Sequence, residues 1–219
     1  MIINHASRIT HHASRITHHA SRITLHLKKL IKGKEINLWA LERYDLLEYL
    51  KWSNDRELIH LTGMPVLPKS MNELENWYLQ AIKNPGNKFF AIRTKDGEYI
   101  GNIELNSIDW INRNLEIGIL IGKKEFRGKG LGLDATLTVL HFIFEQLNFH
   151  RVYLSVIIYN KQAINLYEKC GFKKEGVKRE AFLYRGQYVD IIEMALLKYE
   201  FEEIKNNRFK DFFEEILKK

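Results

Sequence analysis

A glycine-rich turn, Arg127-Gly-Lys-Gly-Leu-Gly132, restricts the fold more than any other segment, because it separates a strand pattern from a helix pattern. Residues 114–122 read as a strand, and residues 130–147 follow a long apolar helical pattern. A helix that begins at glycines presents free backbone N–H groups and the positive end of its dipole, with no Cβ atoms in the way. The turn therefore predicts an anion site suited to a pyrophosphate, to which Arg127 and Lys129 add positive charge.

The remaining elements alternate in an order that indicates the fold class. Strand patterns cover residues 35–41, 88–94, 99–108, 114–122, 151–158, 172–183 and 188–198. Helical patterns begin at Asp45, at residue 71 after a Ser70–Glu73 capping box, and at residues 130 and 161. A meander of strands followed by strand–helix–strand–helix–strand predicts an α/β (α+β) fold. We expect one domain over residues 34–199, with a mixed, mostly antiparallel twisted sheet of about six to seven strands and helices on both faces.

The two ends of the chain are set apart from this domain by their patterns. Residues 5–25 are a threefold heptapeptide repeat, HASRITH, HASRITH and HASRITL. We interpret residues 1–28 as a disordered or marginally helical tail, with a short coiled coil as the alternative because Ala and Ile recur at heptad spacing. Residues 200–219 form an amphipathic helical pattern with aromatic residues on one face. It is predicted to dock on its own domain, or alternatively to form a contact in a homodimer.

Composition limits the compartment and the partners of the protein. The single cysteine, Cys170, excludes an internal disulfide and fits a reducing cytoplasm. No apolar run approaches the ~20 residues that a membrane span requires. The net charge of +7 includes three arginines of the repeat, and elsewhere basic and acidic residues are interspersed, so we expect no nucleic-acid partner.

Two motifs resemble those of the GNAT superfamily of N-acetyltransferases. The spacing Arg127-x-x-Gly130-x-Gly132 resembles the Q/R-x-x-G-x-G/A motif that holds the pyrophosphate of coenzyme A. Residues 160–172, NKQAINLYEKCGF, resemble the N-x-x-A-x-x-x-Y-x-x-x-G-F segment. The resemblance spans residues 34–198, and residues 52–55 and 179–197 are similar to the group that contains RimJ, RimL and the spermidine acetyltransferases. It implies an acetyl-CoA-dependent enzyme with no metal.

The resemblance also implies how the coenzyme is held. Strand 114–122 would splay from strand 151–158, helped by Gly118, so that amides near Ile119 and Ile121 bind the pantetheine arm like an added strand. One of those amides would stabilise the oxyanion of the tetrahedral intermediate. Asn160 would reach the same arm. The implied coenzyme-binding residues are Ile119, Leu120, Ile121, Arg127, Gly128, Lys129, Gly130, Leu131, Gly132 and Asn160.

Acetyl transfer from a thioester to an amine requires a base for the amine and benefits from an acid for the departing thiolate. Glu116, on the strand before the turn, is the first candidate base, working through a water molecule. Glu104 on the neighbouring strand is the second candidate. Tyr167 is the candidate acid, since a tyrosine with its ordinary pKa near ~10 is protonated at neutral pH.

The acceptor remains open at this stage. A primary amine is implied, either a protein N-terminus or a small amine such as a polyamine, and an aminosugar or an antibiotic is a further alternative. Two helical segments carry carboxylates that would suit a polyamine, but these would equally form ordinary solvated helix faces. A non-catalytic acyl-CoA-binding regulatory protein is the alternative from another class, and the acid–base residues argue against it.

Overall fold

The computed structural model describes residues 31–63 and 67–218, and their strands form a single eight-stranded sheet. The strands are β1 (Ile31–Lys32), β2 (Ile36–Ala40), β3 (Lys88–Thr94), β4 (Tyr99–Asp109), β5 (Asn114–Ile121), β6 (Arg151–Ile157), β7 (Lys173–Tyr184) and β8 (Gln187–Leu197). Their order is β1-β2-β3-β4-β5-β6-β8-β7. All neighbours are antiparallel except β5 and β6. The predicted fold class is confirmed, and the additional strand is the two-residue β1, which precedes the predicted start of the domain.

Seven helices cover the two faces of this sheet in the described part of the chain. They are α1 (Leu46–Ser53), α2 (Arg56–Thr62), α3 (Met71–Ala81), α4 (Leu131–His141), α5 (Lys161–Lys169), α6 (Lys198–Asn207) and α7 (Lys210–Leu217). A single π-helical turn, Phe142–Gln146, prolongs α4. The capping box predicted at Ser70 and Glu73 is present at the start of α3.

Alternation along the central strands separates two apolar cores. On β3, Ala91 packs with residues of α1–α3, whereas the next residue, Ile92, packs with residues of α4–α7. Since successive side chains of a strand point to opposite faces, each strand contributes to both layers. We call these the α1–α3 face and the α4–α7 face of the sheet.

The C-terminal segment differs in detail from its prediction. Two helices, α6 and α7, replace the single predicted helix, and the chain bends between them at Arg208 and Phe209. Phe213 and Ile216 are buried in the core of the α4–α7 face of the same chain. The apolar side of α7 is therefore directed towards its own domain. No helix among the described residues has the length and apolar character needed to cross a membrane.

Two predictions lie outside the described residues. The tail over residues 1–28 is one, so neither a disordered segment nor a coiled coil is tested there. The other is the middle of the predicted loop between α2 and α3, residues 64–66.

Asp134, in the first turn of α4, attaches the beginning of the domain to the central helix. Its buried carboxylate accepts hydrogen bonds from the backbone N–H groups of Lys34 (3.0 Å), Glu35 (2.5 Å) and Ile36 (3.2 Å). The hydroxyl of Thr138 donates a further bond of 3.2 Å to the same carboxylate. These contacts bridge about a hundred residues of sequence, so they hold β2 against α4.

We expect Asp134→Ala to lower the free energy of unfolding by about 2–4 kcal/mol, because three backbone donors lose their acceptor in a partly buried place. Urea denaturation would measure the change. Asp96→Ala, at an exposed turn between β3 and β4, is the matched control and should have little effect. If Asp134→Ala lowers the free energy of unfolding no more than the control does, water satisfies the three backbone N–H groups as well as the carboxylate does.

Candidate active site

The parallel pair of β5 and β6 opens into a wedge. The two strands are paired only over residues 114–116 and 151–153. Beyond this point β5 stays paired with β4 as far as Ile121, and β6 stays paired with β8 as far as Ile157. Each strand is thus held by its other neighbour, and within residues 31–63 and 67–218 one edge of β5 has no strand partner from residue 117 to residue 121.

The backbone of β5 directs amide groups into this wedge. Gly122 N–H donates to the carbonyl oxygen of Ile100 on the β4 side (2.9 Å). Because N–H groups alternate sides along a strand, those of Ile119 and Ile121 point away from β4 and into the wedge. An extended ligand can pair with such an edge as an added strand. Leu120, between them, directs its side chain to the core of the α1–α3 face.

The wedge continues into a cleft of about 610 Å³. The edge of β5, the glycine-rich turn, the beginning of α5 and the helices α1 and α2 line it. Of the residues predicted for the site, those in the lining are Glu104, Ile119, Leu120, Ile121, Arg127, Gly128, Gly130, Gly132, Asn160 and Tyr167. Three predicted residues, Glu116, Lys129 and Leu131, are outside it.

The glycine-rich turn has the backbone geometry of an anion cradle. Gly128 and Gly130 adopt left-handed conformations, with φ of +73° and +82°. A Cβ atom at either position would meet no protein atom within 4 Å, so the backbone borders open space there. Gly130 is the N-cap of α4, whose first N–H groups are free to bind an anion. The turn therefore fits a diphosphate group.

The two basic side chains of the turn do not point into the cradle. Arg127 folds back, and its guanidinium donates to the carbonyl oxygens of Ile121 (2.9 Å) and Gly122 (2.7 Å) and to the carboxylate of Glu57 on α2 (3.2 Å). The ammonium of Lys129 lies 5.7 Å from the centre of the Phe126 ring. Backbone N–H groups and the helix dipole thus provide most of the attraction at the cradle itself.

Asn160 closes the other side of the cleft by fixing helix ends. Its side-chain oxygen caps α5 by accepting from Ala163 N–H (3.1 Å), and its amide nitrogen donates to the carbonyl of Leu61 on α2 (3.0 Å). Both ends of this side chain are therefore engaged within the protein. A contact from Asn160 to the coenzyme stays a prediction.

Tyr167, on α5, lies at the inner end of the cleft. Its side chain is buried, and its ring packs edge-on against Phe172 at 5.7 Å between centres. Burial raises the pKa of its hydroxyl above the ordinary value of 10, so the group is protonated at neutral pH. No hydrogen bond joins this hydroxyl to another residue in the part of the chain that the structure describes. The proton is thus available to a ligand.

Glu104, on β4, presents a half-buried carboxylate to the cleft from the α1–α3 face. Burial raises its pKa, and a hydrogen bond from the hydroxyl of Tyr49 on α1 (3.1 Å) acts in the opposite direction. Tyr49 and Glu104 both line the cleft. A carboxylate with a raised pKa in a cleft has the properties of a general base.

Glu116 lies at the closed end of the wedge, opposite Tyr153 in the last strand pair. Burial and the nearby charge of Glu193 raise its pKa, and the charge of Lys178 lowers it. Glu193 in turn accepts from Ser155 Oγ (2.8 Å) and pairs with Lys178 Nζ (2.9 Å). With Glu104, these residues place three carboxylates and one ammonium near the wedge on the α1–α3 face.

Several lining residues escaped prediction. Tyr49 and the α2 residues Leu58, Leu61 and Thr62 come from segments 65 or more residues before the first motif, which begins at Arg127, and nothing in their local sequence marks them. Asn102 could have been predicted from the sequence. Asn102 and Glu104 are polar residues two positions apart in the otherwise apolar strand segment 99–105, so they share one face of the strand. The side-chain oxygen of Asn102 accepts from Tyr99 (2.6 Å), while its buried amide nitrogen has no partner among the described residues.

The described part of the chain gives little support to catalysis by a metal ion or by a cysteine nucleophile. It contains no group of three or more His, Cys, Asp and Glu side chains that could hold a metal ion. Cys170 is buried, and burial raises the pKa of its thiol to about 12, which disfavours a thiolate nucleophile at neutral pH.

Comparison with known proteins agrees with this geometry. The family model of the acetyltransferase (GNAT) domain matches residues 35–173. Spermidine N(1)-acetyltransferase of Vibrio cholerae is 34% identical over 75% of this chain and 94% of that protein, and the enzyme of Escherichia coli K12 is 33% identical over 76% and 88%. The crystal structure of the V. cholerae enzyme in complex with CoA and spermine superposes with a TM-score of 0.73, at 33% identity, over 77% of this chain and 98% of that one.

Proposed function

The chain belongs to the GNAT acetyltransferase family and is an acetyl-CoA-dependent N-acetyltransferase, and we propose that its acceptor is an aliphatic polyamine of the spermidine type. Two relatives that match about three quarters of this chain are named spermidine N(1)-acetyltransferases. The observation that carries the proposal is the group of carboxylates Glu104, Glu116 and Glu193 on the α1–α3 face, beside the wedge.

Charge favours a polycationic acceptor over a neutral one at this place. Three carboxylates outnumber the nearby ammonium groups of Lys178, which acts on Glu116 and Glu193, and of Lys69, which acts on Glu104. Glu104 and Glu116 are both half-buried. Withdrawal from water strengthens their attraction for cations. A polyamine could present its reacting nitrogen to Glu104 and a second, protonated nitrogen to Glu116 and Glu193.

In the proposed mechanism, Glu104 removes the proton from the attacking amine, directly or through water. Glu116 was the first candidate from the sequence, but Glu104 is the carboxylate that lines the cleft, so we assign it the base and Glu116 a role in cation binding. Tyr167 donates a proton to the departing thiolate. Both groups border one cleft, as direct attack on a thioester requires.

The coenzyme supplies the thioester, and this chain's backbone supplies its binding site. Ile119 and Ile121 would bind the pantetheine arm through the N–H groups that enter the wedge. Gly128, Gly130 and Gly132 would hold the diphosphate, with the first turn of α4 beneath it. One of the β5 amides would stabilise the oxyanion.

The test of the acceptor is a thiol-release assay with acetyl-CoA. We expect kcat/KM for spermidine and spermine to exceed those for aminosugars, aminoglycosides and peptides with Ala or Ser at the N-terminus. Glu193→Gln should raise KM for spermidine more than KM for a monoamine, since it removes one partner of the distal nitrogen. A clear preference for any other member of the panel would refute the polyamine proposal.

A protein N-terminus is the second candidate, and Asn102 favours it. The buried, unpartnered amide nitrogen of Asn102 is a hydrogen-bond donor two residues from Glu104 on the same strand face. A carbonyl next to an N-terminal amine could accept from it, whereas a protonated polyamine nitrogen could not. The peptides in the same panel decide between the two candidates.

Tyr49→Phe tests the assignment of Glu104. The hydrogen bond from Tyr49 favours the carboxylate form, so its loss should raise the pKa of Glu104 and move the acidic limb of the kcat/KM profile to higher pH. A hydrogen bond to a charged group contributes about 1.5–3 kcal/mol, so activity on the acidic side should fall about 10- to 100-fold. Above the limb Glu104 is deprotonated in both proteins, and activity should be nearly retained.

The matched control is Tyr78→Phe, because the Tyr78 hydroxyl donates to the Leu41 carbonyl (3.3 Å) away from the cleft. Its pH profile should coincide with that of the wild type. Coincident profiles for Tyr49→Phe and the wild type would remove Glu104 from the proposed mechanism.

A further inference from the structure

A second pocket lies on the outer side of α2, apart from the catalytic groups. It has a volume of about 580 Å³ and is bordered by α2, by Tyr159 just beyond β6, and by the end of β7 with the turn that follows it. We call it the α2 pocket and define it by Arg56, His60, Leu61, Tyr159, Tyr184 and Arg185. Leu61 also lines the cleft, so α2 separates the two cavities. A pocket of this size can hold a small ligand.

Positive charge exceeds negative charge in the α2 pocket. Neither Arg56 nor Arg185 forms an ion pair with a carboxylate of the described residues. Glu57 also borders the pocket, but it is paired with Arg127 (3.2 Å) and Lys124 (3.5 Å) of the turn. Two guanidinium groups with no carboxylate of their own indicate an anionic ligand, since guanidinium binds carboxylate and phosphate through paired hydrogen bonds.

Aromatic rings form another wall of this pocket. The rings of Tyr159 and Tyr184 lie 4.2 Å apart at 31°, and His60 contacts Tyr184 edge-on at 5.0 Å. Tyr159 is fixed because its hydroxyl donates to the carbonyl of His60 (2.5 Å). The Nδ1 atom of His60 is buried with no partner among the described residues, which leaves one polar contact to be made.

We propose that the α2 pocket binds a small ligand in which a phosphate or carboxylate is attached to a planar ring. Arg56 and Arg185 bind the anionic group. The Arg185 guanidinium lies over the Tyr184 ring (5.1 Å) and Tyr184 also packs on Tyr159, so the ligand ring packs against Tyr159. Such a ligand would connect α2 to the β7–β8 turn. Because α2 also borders the cleft, a ligand bound in the α2 pocket would stabilise the α2 wall of that cleft. The proposal does not depend on the identity of the acceptor.

Calorimetric titration of the full chain with three related probes tests this site. Phenyl phosphate carries both the ring and the anion, inorganic phosphate only the anion, and phenol only the ring. We expect phenyl phosphate to bind at least about tenfold more tightly than either of the others. All titrations are repeated with saturating desulfo-CoA, a coenzyme analogue without the sulfur, so that the cradle at Gly130 is occupied and binding there is excluded.

Variants assign the binding to the pocket. Arg56→Gln and Arg185→Gln should each weaken phenyl phosphate binding about tenfold, the usual value of one charge-assisted contact. Arg43→Gln is the control, because Arg43 is exposed and paired with Glu75 (2.8 Å) away from the pocket. The proposal is overturned if phenyl phosphate does not bind, if desulfo-CoA abolishes its binding, or if the pocket variants bind it as well as Arg43→Gln does.

Discussion

Replacing Tyr167 by Phe should lower the rate constant of acetyl transfer by about 10²–10⁴, the usual contribution of a positioned general acid. The variant loses one oxygen atom and keeps the ring that packs against Phe172. Because the hydroxyl has no hydrogen bond to another described residue, its removal leaves no protein group without a partner. Folding and acetyl-CoA affinity should therefore change little, and the loss should appear in the chemical step.

Single-turnover measurements give the cleanest result, because slow product release would conceal part of the loss in steady state. Tyr153→Phe is a suitable control, since Tyr153 is on β6 and outside the cleft lining. If Tyr167→Phe reacts within twofold of the wild type in a single turnover, Tyr167 is a packing residue. The thiolate would then receive its proton from water or from another group.

Gly130→Asp should weaken acetyl-CoA binding by about 10²–10³. A carboxylate at the N-cap of α4 would face the diphosphate, and two like charges about 4 Å apart repel by about 4 kcal/mol at an effective dielectric constant near 20. A Cβ at this position meets nothing within 4 Å, so the cost to the protein itself is that of placing a non-glycine residue at φ +82°. Calorimetry with acetyl-CoA measures the affinity.

Gly130→Asn isolates the charge in this experiment. Asn has nearly the same shape as Asp and accepts the left-handed conformation that Gly130 adopts (φ +82°). Both variants carry a similar backbone cost, so their melting temperatures should be close while their affinities differ. Equal affinities of Asp and Asn variants would show that no phosphate lies at Gly130, and the cradle would lose its role.

Local sequence was sufficient for the features that depend on a few adjacent residues. The glycine-rich turn between strand and helix, the start of α4 and the capping box at Ser70 were all predicted at their places. The same holds for the alternation that gives the strands their two faces. Such features arise from backbone sterics and from contacts within one helical turn, which are contained in the segment itself.

The catalytic base could not be identified from the sequence, for a physical reason. Glu104 and Glu116 are both polar residues on neighbouring strands, and their side chains share the α1–α3 face. What separates them is that α1 contacts Glu104 through Tyr49, while Glu116 lies at the end where β5 and β6 are still paired. Neither contact can be predicted from the residues adjacent to the two glutamates in the sequence.

The sequence by itself determined the family, the order of the elements and the glycine-rich turn, because motif spacing and periodicity are local properties of the chain. Only the tertiary structure decided that Arg127 turns back to Ile121 and Glu57, that α2 borders the cleft, and that the expected separation of β5 and β6 begins beyond Glu116. Each of these depends on contacts between residues distant in sequence, and their energies are settled only when both sides are packed together.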